Sequence, residues 1–124
     1  MNQIPDNVRR FLLTSIESVP HLELLVLLWR EKRPFNTEEL SRRLYLGPVA
    51  TRALADDLVD AELLDRVAGD DLFQVRTEPQ ELRKLLQDLD LTYSRHLRQV
   101  AELIHSNTER RAHKFSRAFV WRKP

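Results

Sequence analysis

Hydrophobic residues recur at steps of three and four along most of the chain, which is the period of an amphipathic helix. Residues 6–16 are the first stretch with this pattern. Residues 22–29 are apolar at nearly every position, and Ser18 and Pro20 ahead of them suit an N-cap and a first helical turn. We therefore predict two N-terminal helices and expect the second, apolar on all sides, to form the centre of the domain.

A short third helix is predicted by its capping residues. Asn36 and Glu39 have the spacing of a reciprocal capping box, in which each side chain bonds the backbone N–H of the other residue. The helix should therefore run over residues 37–44.

A fourth helix should follow a tight turn at Gly47 and Pro48, since glycine can adopt positive φ and proline suits a first helical turn. The apolar spacing predicts this helix over residues 49–61. We expect its apolar face to contain Val49, Ala53, Leu54 and Leu58, and its other face Thr51, Arg52, Asp56 and Asp57.

The second half of the chain predicts a β-hairpin and then a long helix. Residues 63–67 and 72–76 are short runs with Val, Leu and Phe, separated by a Gly-Asp turn signal. From Pro79 the helical period returns and predicts a helix over residues 78–105. It contains two seven-residue ladders, Leu82/Leu89/His96/Leu103 and Leu86/Tyr93/Val100. Such ladders suit either a two-chain coiled-coil seam or packing on the chain's own first two helices.

The C-terminal segment, residues 106–124, is a basic aromatic tail. Ser106, Asn107 and Thr108 should end the long helix, and a last short helix would contain Ala112, Phe115, Ala118 and Phe119. Residues 109–124 hold 6 Lys and Arg against 1 Glu, whereas residues 1–108 hold 14 against 18 Asp and Glu. The tail could bind nucleic acid through charge and stacking, or dock on the body through its phenylalanines.

The order of these elements is that of a winged helix-turn-helix domain. Thr37-Glu38-Glu39-Leu40-Ser41-Arg42-Arg43-Leu44, followed by residues 49–58 and Leu63-Leu64, resembles bacterial winged-helix regulators of the MarR type. The resemblance covers roughly residues 20–77. It implies a mostly α chain with one hairpin, in which residues 1–77 form the winged-helix domain, with a helix-turn-helix at about 37–61 and a wing at about 63–76.

The same resemblance implies a function, namely a transcription regulator that binds double-stranded DNA as a homodimer. The absence of cysteine suits a cytoplasmic location for it. In that superfamily the helix after the turn enters the major groove, the wing contacts the backbone or minor groove, and a long later helix dimerises. The DNA contacts implied here are Arg42, Arg43, Val49, Thr51, Arg52 and Arg66. The dimer interface implied here is Leu82, Leu86, Leu89, Tyr93, His96, Val100 and Leu103.

The charge of the predicted fourth helix and wing favours an alternative function. Residues 48–71 contain seven carboxylates but only Arg52 and Arg66 as cations, a net charge of −5. Because phosphate neutralisation supplies most non-specific DNA affinity, an acidic fourth helix and wing oppose the usual docking. A winged-helix module that contacts a basic protein surface without binding DNA directly is therefore the alternative.

The sequence predicts neither an enzyme, nor a cofactor, nor a metal site. It has no cysteine, its four histidines contain no pair at three or four residues' spacing, and it has no glycine-rich phosphate loop. Asp56 and Asp57 are adjacent on a helix and diverge by about 100°, which does not suit paired acid-base catalysis. Its longest apolar run, residues 24–29, is too short for a transmembrane helix, so we expect neither a membrane span nor a signal peptide.

Overall fold

The structure, a computed structural model, describes residues 4–121, with side chains described for residues 4–109. Most of this part of the chain is helical, and two short strands form an antiparallel hairpin, which confirms the predicted class of a mostly α chain with one hairpin. The elements are α1 Asp6–Ser15, α2 Val19–Glu31, α3 Thr37–Leu44, α4 Pro48–Asp60, β1 Leu64–Arg66, β2 Phe73–Val75, α5 Gln80–Arg95 and α6 Leu97–Trp121.

The predicted caps are confirmed because they depend only on residues close in sequence. The Ser18 hydroxyl accepts a hydrogen bond of 3.3 Å from the backbone N–H of His21 and so caps α2. At the start of α3, the Asn36 side chain accepts from the Glu39 backbone N–H at 2.8 Å. The Glu39 carboxylate accepts from the Asn36 backbone N–H at 3.1 Å, which completes the capping box.

Helix α2 is central to the core, as its sequence predicts. It contacts α3, α4, α5, α6 and β2, and most of its apolar side chains are buried. Each of these elements therefore buries part of its apolar surface against α2, and this burial is the main favourable contribution to folding.

The hairpin gains an additional partner that the sequence analysis did not predict. β1 and β2 pair from Leu64 opposite Val75 to Arg66 opposite Phe73. Phe35, just before α3, forms an isolated antiparallel bridge with Phe73, through two backbone hydrogen bonds of 2.9 Å. Both phenylalanine side chains are fully buried. The hairpin is thereby fixed to the start of α3 by backbone pairing as well as by side-chain packing.

The predicted faces of α4 are partly wrong. Its buried stripe is Thr51, Ala55 and Leu58, at i, i+4 and i+7, whereas Val49 is 85% exposed and Ala53 is exposed as well. Small residues face the core because α4 packs against both α2 and α3. A stripe that begins with threonine and alanine is not detected by a search for large apolar side chains.

The predicted long helix over residues 78–105 is two helices. α5 ends at Arg95, His96 has the non-helical angles φ −133° and ψ 49°, and α6 begins at Leu97. Conversely, residues 106–108 do not interrupt α6. Their polar side chains dock the helix instead, since Asn107 donates to the Leu13 carbonyl at 2.9 Å and Thr108 to the Glu17 carbonyl at 2.7 Å.

The leucine ladders pack on the chain's own helices, so the predicted dimer seam is wrong for its most apolar members. Leu86, Leu89 and Val100 are buried in the core, where α5 and α6 pack against α1 and α2. The remaining predicted interface residues are partly buried and, apart from His96 at the break, pack against the same core: Leu82, Tyr93, His96 and Leu103. Both ladders cross the break at His96, so neither forms one continuous helical stripe. The predicted docking of Phe115 and Phe119 concerns side chains outside those described.

Candidate interaction surface

The turn between α3 and α4 is closed by local hydrogen bonds and exposes two large side chains. Tyr45, with φ 56°, ends α3, and the Leu46 backbone N–H donates to the Ser41 carbonyl at 3.2 Å. The Ser41 hydroxyl donates to the Leu46 carbonyl in return. Tyr45 is 93% exposed, and Val49 in the first turn of α4 is exposed beside Pro48. An aromatic ring left in water at a rigid turn is available to a partner.

Thr51 is not available for such contacts, contrary to its predicted place among the DNA contacts. Its side chain is fully buried, and its hydroxyl donates to the Gly47 carbonyl at 2.8 Å. The same Gly47 carbonyl accepts the Thr51 backbone N–H at 3.0 Å, so both donors of Thr51 bond the residue that caps α4. Thr51 therefore stabilises the turn and does not contact a ligand at this surface.

Arg52 is held by carboxylates of its own chain. Its Nε donates to Asp56 at 3.2 Å and its Nη2 to Asp70 at 2.8 Å, while Nη1 lies 3.6 Å from Asp71. The hydrogen bond from Arg52 lowers the pKa of Asp70, and the same bond raises the pKa of Arg52. Arg52 therefore connects α4 to the hairpin loop.

Arg66, on β1, shares two of these partners. Its Nη2 donates to Asp56, and its Nε lies 3.5 Å from Asp70. Both guanidinium groups also lie over the Phe73 ring, at 5.6 Å for Arg52 and 5.5 Å for Arg66. At this distance cation–π attraction adds to the ion pairs and orients the planar groups.

Asp71 connects the same loop to α3. It accepts hydrogen bonds from the Thr37 backbone N–H, at 3.1 Å, and from the Thr37 hydroxyl. Two arginines and three aspartates thus join α3, α4 and the hairpin into one surface with a net charge of −1 before its neighbours are counted. We call this surface the α4–hairpin face, and it consists of Tyr45, Val49, Arg52, Asp56, Arg66, Asp70 and Asp71.

The two arginines of α3 are also paired within the chain. Arg42 donates to Glu38 at 3.0 Å, and both side chains are largely exposed. Arg43 donates to Glu31 at 3.3 Å and lies 5.6 Å from the Phe35 ring. All four predicted arginine contacts are therefore within reach of carboxylates that would compete with phosphate.

A second cluster combines residues that the sequence analysis did not connect. Glu17, His21 and Asp57 place their ligand-type atoms within 4.8 Å of one another. His21 Nδ1 lies 2.6 Å from the Ser18 hydroxyl and Nε2 lies 2.8 Å from an Asp57 oxygen. The i, i+4 spacing of Glu17 and His21 is visible in the sequence, but Asp57 joins them only through the packing of α4 on α2.

Comparisons of the chain with models of protein families, with curated protein sequences and with solved structures found no match. Within the part of the chain that the structure describes, no helix is long and apolar enough to span a membrane. The winged-helix resemblance therefore depends on the order and packing of the elements.

Proposed function

We propose that this chain is a winged-helix regulatory module that binds a protein partner through its α4–hairpin face. The element order supports the fold assignment: α2 is central, α3 and α4 are joined by a tight turn, a hairpin follows, and Phe35 adds a bridge to that hairpin. In winged-helix domains the helix after the turn and the wing form the recognition surface.

The observation that carries the proposal is the pairing of Arg52 with Asp56, Asp70 and Asp71, and of Arg66 with Asp56 and Asp70. A phosphate that approached either arginine would meet these carboxylates first. Binding DNA here would require the ion pairs to be exchanged while several negative charges are brought close to the duplex, which reduces the electrostatic term that gives most of the affinity.

The same face has the composition of a protein-binding surface. Tyr45 and Val49 provide exposed apolar area, and tyrosine is among the residues that contribute most to interface affinity. The same face holds the carboxylates of Asp56, Asp70 and Asp71, and Asp70 is exposed at the hairpin loop. The chemistry that complements this face is a cationic protein surface with an apolar recess, since charge complementarity governs partner choice and association rate.

The proposal is tested by titrating the full chain with a short amphipathic peptide of leucine and lysine while amide signals are followed by NMR. We expect perturbations at Tyr45, Val49 and the 70–71 loop, and about tenfold weaker binding for Tyr45→Ala, the scale of an interface residue worth about 1.4 kcal/mol. Leu91→Ala, an exposed leucine of α5, is the matched control and should bind like wild type. Equal binding by all three proteins would reject the proposal.

The second candidate function is the DNA-binding homodimer implied by the resemblance. It is favoured by the α3–turn–α4 geometry and by the exposed position of Val49 one helical turn before Arg52. The ion pairs of Arg42 and Arg52 are partly or largely exposed, and such pairs are weak and can be exchanged. Dimerisation would then use the exposed Leu91 and Leu97 on either side of the break, since Leu86, Leu89 and Val100 are buried in the protomer. Its test is the salt dependence of random-duplex binding, with Arg52→Ala as the informative variant.

A further inference from the structure

We propose that Glu17, His21 and Asp57 form a binding site for a divalent first-row transition cation, with Zn²⁺ as the natural probe. The residues come from three places in the fold: the loop between α1 and α2, the first turn of α2, and α4. Their ligand-type atoms all lie within 4.8 Å of one another, with one imidazole nitrogen and two carboxylates. Zinc accepts this mixture of donors, and three protein ligands leave a fourth position for water.

His21 is oriented in the manner of a metal-ligating histidine. Its side chain is 9% exposed, and the Ser18 hydroxyl lies 2.6 Å from Nδ1. Without a cation, the 2.8 Å contact needs an Nε2–H that donates to the Asp57 carboxylate; a cation would replace that proton, and the Ser18 hydroxyl would then accept from Nδ1–H. A ligating imidazole almost always donates its other N–H to an oxygen acceptor, which fixes both its tautomer and its ring plane.

Among the side chains of residues 4–109, the two carboxylates have no lysine or arginine as an ion-pair partner. Among residues 4–109, no such group lies within the 4.0 Å ion-pair distance of Glu17 or Asp57. The contrast with Asp56 is informative, because this neighbour of Asp57 is paired with both Arg52 and Arg66. Counted over the described side chains, two carboxylates lie beside one imidazole with no lysine or arginine in ion-pair contact, and a divalent cation would balance their charge.

The geometry requires only small side-chain adjustment to bind the ion. In a tetrahedral site with bonds of about 2.0–2.2 Å, ligand atoms lie about 3.4 Å apart. The His21 Nε2 to Asp57 distance of 2.8 Å is slightly shorter than this, and Glu17 has an exposed side chain in the loop between α1 and α2. The bound ion would link the α1–α2 loop to α4.

The test is calorimetric titration of the full chain with Zn²⁺ near neutral pH, together with the visible absorption of bound Co²⁺. We expect a site with a Kd in the micromolar range or tighter, a tetrahedral Co²⁺ spectrum, and a zinc-dependent rise in melting temperature. Glu17→Gln and Asp57→Asn should each weaken binding more than tenfold. Because Glu17 is exposed, Glu17→Gln keeps the test valid even if a His21 variant fails to fold.

Asp60→Asn and His105→Gln are the matched controls, since each removes an exposed acidic or imidazole group elsewhere in the described chain. Both should bind Zn²⁺ like the wild type. Wild-type affinity retained by Glu17→Gln and Asp57→Asn would overturn the proposal, as would the absence of binding at about 100 μM Zn²⁺, a concentration far above the proposed Kd. This site is independent of the α4–hairpin face, so peptide binding at that face does not bear on its outcome.

Discussion

Arg52 of α4 and Asp70 of the hairpin loop are joined by a 2.8 Å hydrogen bond from Nη2 to a carboxylate oxygen. This contact spans 18 residues of sequence and brings the loop against the helix that would otherwise present a free cation. A paired arginine at the centre of the candidate surface is the main reason to look for a partner other than DNA.

The Arg52–Asp70 contact predicts a shifted titration. The Arg52 hydrogen bond lowers the pKa of Asp70, so its stabilising contribution is present above the ordinary carboxyl pKa and is lost as pH falls through the lowered value. The carboxyl carbon signal of Asp70 should therefore titrate below the ordinary aspartate range in wild type and return upwards in Arg52→Ala. An unchanged titration in the variant would show that the pair does not persist in solution.

Val49 and Thr51, two residues apart on α4, should differ in how much their truncation destabilises the fold. Thr51→Ala removes a buried methyl group and the hydrogen bond to Gly47, and should lower the free energy of unfolding by about 1–3 kcal/mol. Val49→Ala should change it by less than about 0.5 kcal/mol, because Val49 is largely exposed. Denaturant unfolding measures both values. Similar losses at the two positions would mean that the packing of α4 is wrongly described.

Helix α5 provides a second matched pair. Leu89→Ala should lower the free energy of unfolding by about 2–5 kcal/mol, since Leu89 is buried in the protomer core. Leu91→Ala, at a position 49% exposed, should have a small effect on unfolding. Unfolding curves measure the contribution of each leucine to protomer stability, and sedimentation mass measures its contribution to self-association. If Leu89→Ala altered only the oligomeric mass and left the stability unchanged, Leu89 would belong to a coiled-coil seam between two chains and not to the protomer core.

The buried ring of Phe35, at the backbone bridge to Phe73, should stabilise the hairpin. Phe35→Ala removes a fully buried ring and should cost about 3–5 kcal/mol, with faster amide exchange at residues 64–66 and 73–75. Tyr45→Ala is the aromatic control and should leave both quantities near wild type. Unaltered hairpin exchange in Phe35→Ala would contradict this role.

Features set by residues close in sequence could be predicted, because the groups that stabilise them are local. The Asn36 and Glu39 capping box, the Ser18 cap and the two strands around Gly69 all follow from residues a few positions apart. The buried face of α4 was only partly predictable, because the packing of α4 on its neighbours buries Thr51 and Ala55 and leaves Val49 exposed.

The candidate sites are harder to predict because distant residues create them. Composition indicates an acidic α4 and hairpin, yet it does not show that Arg52 and Arg66 are paired with Asp70. His21 and Asp57 are 36 residues apart and meet only when α4 packs on α2. Likewise, the helical period continues through His96, and the break there is a property of the packed helices.

The most direct test of the proposed function is an NMR titration of the full chain with random-sequence duplex DNA at low salt, observed at the amides of Val49, Arg52 and Arg66. We expect these signals to stay unperturbed, because the arginines are held by Asp56, Asp70 and Asp71. Perturbations at these amides that weaken with added salt and disappear in Arg52→Ala would contradict it and would identify the α4–hairpin face as a DNA-binding surface.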